Sequence, residues 1–304
     1  MFRGVVIRKQ AGDQPEEWEE LHRIADEHAD EFAEAFRNAV EATRDGLTLR
    51  EMENAFEDGD LGGAEEAVDW HRYGVELLNL SPIIIATVML AGQRSLDFLP
   101  DEVIANMRFD LTNPRSVDFI RQHTGELIQG LQDGSRLAVR DIIERSFQDG
   151  IPPRRAARHI RDVVGLTERQ ALAVDNLRRE LVEQGVPIPE ITRRTNQYAD
   201  RLLADRAETI ARTETIKAAN VGQELLWQEA VENGLIDPAR TRKEWITTPD
   251  DRLCEFCEEL DGVRVPLDGT FNSPLGPVGE PTLHPRCRCA MRLVFDTSGG
   301  WSRH

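Results

Sequence analysis

The stretch ITRRTNQYADRLLADRAETIARTETIKAANVGQELLWQEAVEN, residues 191–233, decides the fold of this 304-residue chain. It contains no proline, and Gly222 is its only interior weak point. At 1.5 Å per residue it predicts about 65 Å of helix, formed either as one helix or as two. The pair Asn233-Gly234 marks where the helix ends.

Shorter helical segments precede this stretch, each with apolar residues at helical spacing. The run Asp149-Gly150-Ile151-Pro152-Pro153 breaks the pattern and predicts a boundary. The most apolar segment, Ile83 to Ala91, follows Pro82 and is far shorter than the roughly 20 residues that span a bilayer, so it predicts a buried helix. The predicted helices cover residues 15–42, 48–56, 64–78, 82–91, 116–147, 153–164 and 167–184, and residues 1–14 resemble a short strand or arm.

Composition supports a helical globular protein and argues against nucleic acid as the main partner. Hydrophobic residues make up 40% of the chain and aromatic residues 6%. The formal net charge is −18, and residues 11–70 alone carry 20 acidic residues against 4 arginines. Residues 150–217 hold 13 basic and 10 acidic residues, too small an excess to predict DNA binding. With no signal peptide at its start, we expect a soluble protein made in the cytoplasm.

After Asp237-Pro238 the helical spacing of apolar residues stops and the composition changes. Residues 243–247 and 262–267 predict short strands, and glycine and proline are frequent from Gly269 to Pro285. The predicted fold class is therefore mainly α: an elongated multi-helix body with a long helix, plus a small loop-rich α+β Cys/His metal-binding module at the C-terminus. The predicted regions are an acidic helical region at 1–150, a helical region at 151–235, the module at 236–296 and a tail at 297–304.

All four cysteines of the chain lie in this module. The pattern is Cys-x-x-Cys, a long loop, and then His-Pro-x-Cys-x-Cys, which offers zinc the nitrogen and sulfur ligands it prefers. A module with so few apolar residues would gain folding energy from the metal. Five residues compete for four places, and the first choice is Cys254, Cys257, His284 and Cys287, with Cys289 in reserve. The full candidate set is Cys254, Cys257, His284, Cys287 and Cys289.

Two other states of the cysteines remain open. Two disulfides would form in an oxidising compartment. Four reduced thiols would leave the module without a metal or disulfide cross-link. A metal ranks first, disulfides second and free thiols last, because free thiols would not explain why no cysteine occurs elsewhere in the chain.

Nothing in the sequence predicts catalysis, and we expect no enzyme. The His-x-Glu signature of zinc deaminases is absent, and no serine or cysteine nucleophile has a matching histidine base. The glutamates around Cys257 are interpreted as solvated. The remaining histidines are interpreted as ordinary; they are His22, His28, His71, His123, His159 and His304.

Several motifs occur together and in a characteristic order. The run IARTETIKAANVG, residues 210–222, is followed by Trp245, by DDRLCEFC at residues 250–257 and by HPRCRC at residues 284–289. In this combination, over roughly residues 150–296, the chain resembles the phage head morphogenesis family, the minor head proteins similar to protein F of phage Mu. Each motif alone is weak, but the ordered set is specific.

The resemblance implies a minor structural protein of a tailed virus or virus-like particle. It implies binding to the portal protein and other head proteins, a part in head assembly, a position in the virion head near the portal, and several copies per particle. It leaves open a weak DNA contact during packaging or delivery. No membrane partner is expected, and the cofactor would be structural zinc.

Arginines outside the module also offer roles. Arg154, Arg155, Arg158 and Arg161 lie within one predicted helix and are candidates for contact with DNA phosphate or an acidic portal surface, although a solvated face is an equal alternative. Arg212 could pair with Glu208, four residues earlier, or clamp the long helix to the module. The alternative function is a zinc-dependent nucleic-acid-binding protein or nuclease, against which the acidic charge argues.

Overall fold

The computed structural model describes residues 15–248 and 253–295. The predicted arm at 1–14 and tail at 297–304 lie outside the described residues, as do positions 250–252. Most of the described residues are helical, and the strands occur only towards the C-terminus. The prediction of a mainly α fold, with a long helix and a small Cys/His module that contains strands, is confirmed.

The helices follow one another with short connections. In chain order they are α1 (Glu16–Gly46), α2 (Leu49–Asp58), α3 (Leu61–Glu66), α4 (Trp70–Leu77), α5 (Leu80–Ser95), α6 (Asp101–Ile104), α7 (Pro114–Gln148), α8 (Pro153–Val163), α9 (Glu168–Glu183), α10 (Ile188–Glu232) and α11 (Glu255–Glu258), with 3₁₀ turns at Leu96–Phe98 and Pro238–Arg240.

The long helix predicted from residue 191 onwards is one continuous helix, α10, of 45 residues. It begins before residue 191 because Pro189 lies in its first turn, where a missing backbone N–H costs nothing. The helix before it, α9, begins with a capping box in which the side chains of Thr167 and Gln170 each bind the other's backbone N–H.

The predicted helix at 64–78 is divided into α3 and α4. Asp69 caps α4 by accepting a hydrogen bond from the Arg72 backbone N–H at 2.8 Å. The indole of Trp70 donates to the Glu65 carbonyl at 3.0 Å, across the break. A side chain that caps a new helix competes with continuation of the old one, which explains why apolar periodicity alone missed the break.

The module contains two small antiparallel sheets. The strands are β1 (Thr241–Ile246), β2 (Arg264–Pro266), β3 (Phe271–Ser273), β4 (Gly276–Val278) and β5 (Ala290–Phe295). In the first sheet the order is β2-β1-β5, so β1 is central, with Trp245 opposite Met291. Strands β3 and β4 form a hairpin. The central position of β1 brings the segment after it, with Cys254 and Cys257, alongside the segment before β5.

The chain forms two compact units. Unit 1 comprises residues 1–29, 83–119 and 209–304, and unit 2 comprises 30–82 and 120–208. The core of unit 1 includes Trp227, Trp245 and Phe271, together with the cysteines 257, 287 and 289. The division of the chain at residues 150 and 235 was based on changes in composition and periodicity, and it stays a prediction.

Unit 2 is held by arginines that bind backbone carbonyls in the turn after α8. Arg44 donates to the carbonyl of Asp162 at 2.7 Å, and Arg206 donates to the carbonyl of Gly165 at 2.5 Å. Charged donors satisfy carbonyls that the end of a helix leaves without partners. This fixes the end of α8, the helix that carries the four clustered arginines.

Helix α5 contains the apolar stretch that the sequence predicted to be a buried helix. Ile83, Ile84 and Val88 are buried, whereas Met89 is 40% exposed. Residues 61–98 are long and apolar enough to cross a membrane by composition alone, but they include the separate helices α3, α4 and α5 and are partly buried. Core helices of soluble proteins give the same signal.

Candidate metal centre

The first two candidate ligands lie at the start of the short helix α11. Cys254 is its N-cap, and its sulfur accepts a hydrogen bond from the Cys257 backbone N–H at 3.4 Å. One helical turn therefore brings both sulfurs to the same side. Cys257 is 2% exposed. The geometry is that of a Cys-x-x-Cys knuckle, in which one turn supplies two ligands.

The remaining candidates lie on the loop His284–Cys289, which we call the metal loop. His284 Nε2 lies 3.1 Å from Cys254 Sγ and 3.2 Å from Cys257 Sγ. The other ring nitrogen, Nδ1, lies 2.8 Å from the Pro285 carbonyl. Because a carbonyl only accepts, Nδ1 carries the proton, and in the neutral ring the lone pair of Nε2 faces the two sulfurs.

Cys287 and Cys289 reach the same place because the metal loop turns sharply before β5. The Cys287 backbone N–H donates to the His284 carbonyl at 3.0 Å, and Arg286 has a positive φ of 60°. Cys257 Sγ lies 3.8 Å from Cys287 Sγ. Both Cys287 and Cys289 are 2% exposed.

The structure thus brings all five candidates together, in two overlapping groups. Cys254, Cys257 and His284 form one, and Cys257, Cys287 and Cys289 form the other, with the ligand atoms of each group within 4.8 Å of one another. Cys257 belongs to both. The described cysteines are free rather than disulfide-bonded. A group of this kind can hold a metal ion.

The thiols influence one another's protonation. The pKa of Cys287 is lowered because the thiols of Cys257 and Cys289 donate hydrogen bonds to it. The pKa of Cys257 is raised by its hydrogen bond to Cys287, and that of Cys289 by its hydrogen bonds to Cys257 and Cys287. Sulfurs this close cannot all become thiolates unless a cation neutralises them.

Helix α10 supports the metal loop from one side. Thr213, in the Arg-Thr-Glu-Thr motif, accepts a hydrogen bond from the Arg286 backbone N–H at 2.9 Å. The buried side chain of Asn220 donates to the Cys289 carbonyl at 3.2 Å and accepts from the Met291 backbone N–H at 3.1 Å. The motif therefore has a structural role through its threonine, which the sequence analysis did not identify.

Helix α1 contacts the same loop through Trp18 and through His22, which was interpreted from the sequence as an ordinary histidine. The indole N–H of Trp18 donates to the Arg288 carbonyl at 3.1 Å, and His22 Nε2 lies 3.0 Å from it. Burial lowers the pKa of His22, although its hydrogen bond to this carbonyl opposes the shift. A carbonyl oxygen only accepts, so Nε2 carries a proton and donates it to this hydrogen bond. The four-residue spacing of Trp18 and His22 on one helix was the only available signal.

The arginines singled out from sequence lie in two places. Arg154, Arg155 and Arg158 are exposed on α8 in unit 2, and Arg161 is partly buried there. Arg212 lies in unit 1, where with Arg286 and Arg288 it lines a groove of about 830 Å³ beside the metal loop. The structure therefore places Arg212 next to the module, while its predicted pairing stays a prediction.

Comparison with known proteins identifies the family. The model of the family described as phage Mu protein F like protein matches residues 126–292, which is more than half of the chain. The match begins within α7, includes α10 and the metal loop, and ends in β5. We found no match to this chain among the curated proteins or the solved structures. The chain belongs to the phage Mu protein F-like family, the head morphogenesis family that its motifs resemble.

Proposed function

We propose that this protein is a minor head protein of a tailed virus or virus-like particle, which binds the portal protein and takes part in head assembly. The family match over residues 126–292 carries this proposal. Membership of a head morphogenesis family implies partners among other head proteins and a place in the virion, after assembly in the host cytoplasm. Binding to the portal, a position near it and several copies per particle are the finer parts of the proposal.

We further propose that the metal is zinc and that its role is structural. In a tetrahedral site with Zn–S bonds of about 2.3 Å, two sulfurs lie about 3.8 Å apart, which is the separation of Cys257 Sγ and Cys287 Sγ. The two sulfur–nitrogen distances to His284 are shorter than the roughly 3.6 Å of such a site, so the ring would move outward slightly when zinc binds. Five protein donors suffice to close the site without water, as structural zinc sites require.

Helix α8 offers a surface for an acidic partner. Arg155 and Arg158 are exposed, and neither side chain makes a hydrogen bond or ion pair with the described residues. Beside them, Val182 and Ile188 are 52% and 53% exposed and line the same cleft. Apolar side chains next to unpaired arginines favour a protein surface over a phosphate backbone, so we propose an acidic portal surface as the partner.

One observation favours DNA as a second, weaker partner. The groove beside the metal loop is lined by four arginines and two carboxylates, which are Arg23, Arg212, Arg286, Arg288, Glu19 and Asp26. A gel-shift assay at low and moderate salt tests this role. Tight binding that weakens steeply with salt would favour the nucleic-acid alternative, whereas no shift at low salt would exclude it.

The portal proposal is tested by reversing charge on α8. We expect the triple variant Arg154→Glu, Arg155→Glu, Arg158→Glu to lose co-purification with the portal and to be depleted from assembled heads. The matched control reverses three exposed arginines elsewhere in unit 2: Arg121→Glu, Arg169→Glu and Arg201→Glu. Normal portal binding and normal incorporation of the α8 variant would rule out this surface, and equal loss in both variants would show a general effect of charge.

A further inference from the structure

We infer that the first turns of helix α1 are a working part of the metal centre. Trp18 and His22 hold the backbone carbonyl of Arg288, the residue between Cys287 and Cys289, and so keep both sulfurs directed at the metal. This inference rests on the metal site proposed above. It assigns a role to residues that lie outside the family match at 126–292.

Three donors converge on the Arg288 carbonyl. The Trp18 indole N–H lies at 3.1 Å, His22 Nε2 at 3.0 Å and the Thr248 hydroxyl at 3.2 Å. A carbonyl oxygen has two lone pairs, and most carbonyls in loops bind one protein donor or water. So many protein donors on one loop carbonyl fix the orientation of the peptide that joins Arg288 to Cys289.

That peptide controls where the C-terminal pair of sulfurs lies. Cys287 and Cys289 flank Arg288, and rotation about the bonds next to the peptide that joins Arg288 to Cys289 would move one sulfur relative to the other. The next carbonyl along the chain, that of Cys289, is held by Asn220, and the backbone N–H of Arg286 is held by Thr213. Helix α10 therefore fixes the two ends of the segment, and α1 fixes its middle.

The docking of α1 is itself well determined. The rings of Trp18 and His22 stack, with centroids 3.8 Å apart and planes 27° from parallel. One turn further on, Leu21 and Ile24 pack in a buried cluster with Ala290, the residue that follows Cys289. The small side chains of Ala91 and Ala219 complete this cluster and permit close approach. The two donors are thus held in place by packing as well as by the stack.

Support of this kind is reciprocal. If docking of α1 strengthens metal binding, metal binding must stabilise the docking of α1 by the same factor. Residues that orient metal ligands from outside typically change metal affinity by about 10- to 100-fold when they are replaced. The metal would therefore attach the N-terminal helix to the C-terminal module, beyond its role within the module.

The test measures the dissociation constant of zinc by competition with a chelator. We expect His22→Leu and Trp18→Phe, which remove a donor and keep most of the volume, to weaken binding by about tenfold or more. His22→Gln retains an N–H that can reach the carbonyl, and we expect it to restore most of the affinity. The control is His28→Leu, on the same helix, because the hydrogen bond that His28 makes among the described residues is to the Ile24 carbonyl of its own helix.

A second measurement tests whether zinc binding stabilises the docking of α1. On removal of zinc, we expect backbone amides in residues 17–29 of α1 to exchange with deuterium faster, while the unit 2 part of the helix is unchanged. Equal affinity in His22→Leu, Trp18→Phe and the wild type would overturn the inference and leave the metal site intact. If His22→Gln were as weak as His22→Leu, packing rather than the hydrogen bond would be responsible. A wild-type chain that binds no zinc would refute the site itself, without bearing on the head-protein proposal.

Discussion

At the scale of single residues, the side chain of Asn220 makes hydrogen bonds that a neighbouring strand would otherwise make. It is fully buried on α10, and its amide pairs with both the Cys289 carbonyl and the Met291 backbone N–H. These are the two groups that a neighbouring strand would bind at the start of β5. The amide also donates to the Ile216 carbonyl within its own helix. Asn220 therefore joins the long helix to the strand that follows the metal loop.

We predict that Asn220→Ala lowers the free energy of unfolding by about 2 kcal/mol, because it leaves two buried backbone groups without partners. Urea unfolding followed by circular dichroism measures the change. Asn106→Ala is the control, since Asn106 is exposed and its side chain, among the described residues, binds only the Glu102 carbonyl of its own segment. A loss in Asn220→Ala no greater than in the control would show that water replaces the amide.

At the scale of single residues, the candidate metal ligands were predictable from the sequence. The residues that hold the metal loop in place were not. Cysteine and histidine at knuckle spacing predict a metal site from residue type alone. Trp18 and Asn220, in contrast, have spacing typical of any helix, and their partners are backbone groups more than 60 residues away. Lys243 is similar: it is 1% exposed and pairs with Glu224 at 2.7 Å, which strand periodicity could not indicate. Long-range contacts of this kind depend on the assembled fold.

At the scale of elements, Gly222 has a positive role in α10. It was interpreted from sequence as a weak point, yet the helix continues through it. A Cβ at this position would overlap the Val88 carbonyl oxygen and lie 3.1 Å from both the Ala91 Cβ and the Gly92 nitrogen. Glycine is thus required because α5 crosses α10 at this point with backbone close to backbone.

We predict that Gly222→Ala destabilises the protein by up to about 2 kcal/mol, because overpacking usually costs about 1–3 kcal/mol and the helix preference of alanine offsets about 1 kcal/mol of it. The matched control is Gly130→Ala in α7, where an added Cβ meets nothing within 4 Å. There we expect a gain of up to about 1 kcal/mol. Thermal unfolding of both variants tests this prediction. A gain in stability at both positions would mean that α5 and α10 can move apart slightly at no cost.

Most helices were predictable because apolar spacing and turn signals are local. The helix predicted at 153–164 and the one predicted at 167–184 agree closely with α8 and α9. The break between α3 and α4 was missed because it depends on side-chain caps, and β3, β4 and β5 were missed because their short segments show no clear alternation. Pairing within the module, rather than local preference, makes these segments strands.

At the scale of the whole molecule, the net negative charge does not describe unit 2, where arginines surround the buried carboxylate of Asp175. The chain carries a formal charge of −18, yet in unit 2 the buried Asp175 lies within 4 Å of several cationic groups. Arg178 donates to it at 2.8 Å and Arg179 at 3.0 Å, and both arginines also pair with Asp149. Local pairing rather than overall charge therefore decides how unit 2 responds to acid.

Asp175 should make folding sensitive to acid. Burial raises the pKa of its carboxyl, but the approach of His159 Nε2 at 3.4 Å, the hydrogen bond from Arg178 and the charge of Arg178 outweigh burial, so that the pKa falls well below its usual range. A carboxyl with a depressed folded pKa contributes stability that is fully present above its unfolded pKa of about 4 and is lost as the pH falls below that value. We predict that Asp175→Asn lowers the free energy of unfolding by about 3 kcal/mol at pH 7, because partly exposed arginines lose their buried anion. We also predict that the variant loses less stability in acid than the wild type.

The control for this prediction is a carboxyl with a similar shift and a different environment. Hydrogen bonds from Arg193 and Arg194 lower the pKa of Glu190 to about 2, but the group lies at the protein surface. Exposed pairs contribute little because water and salt screen them, so Glu190→Gln should leave both the stability at pH 7 and its decline in acid nearly unchanged. Urea unfolding of the wild type and both variants from pH 7 to pH 2.5 separates the cases. If Asp175→Asn and the wild type lost the same stability over this range, other carboxyls would control the acid response and Asp175 would not determine it.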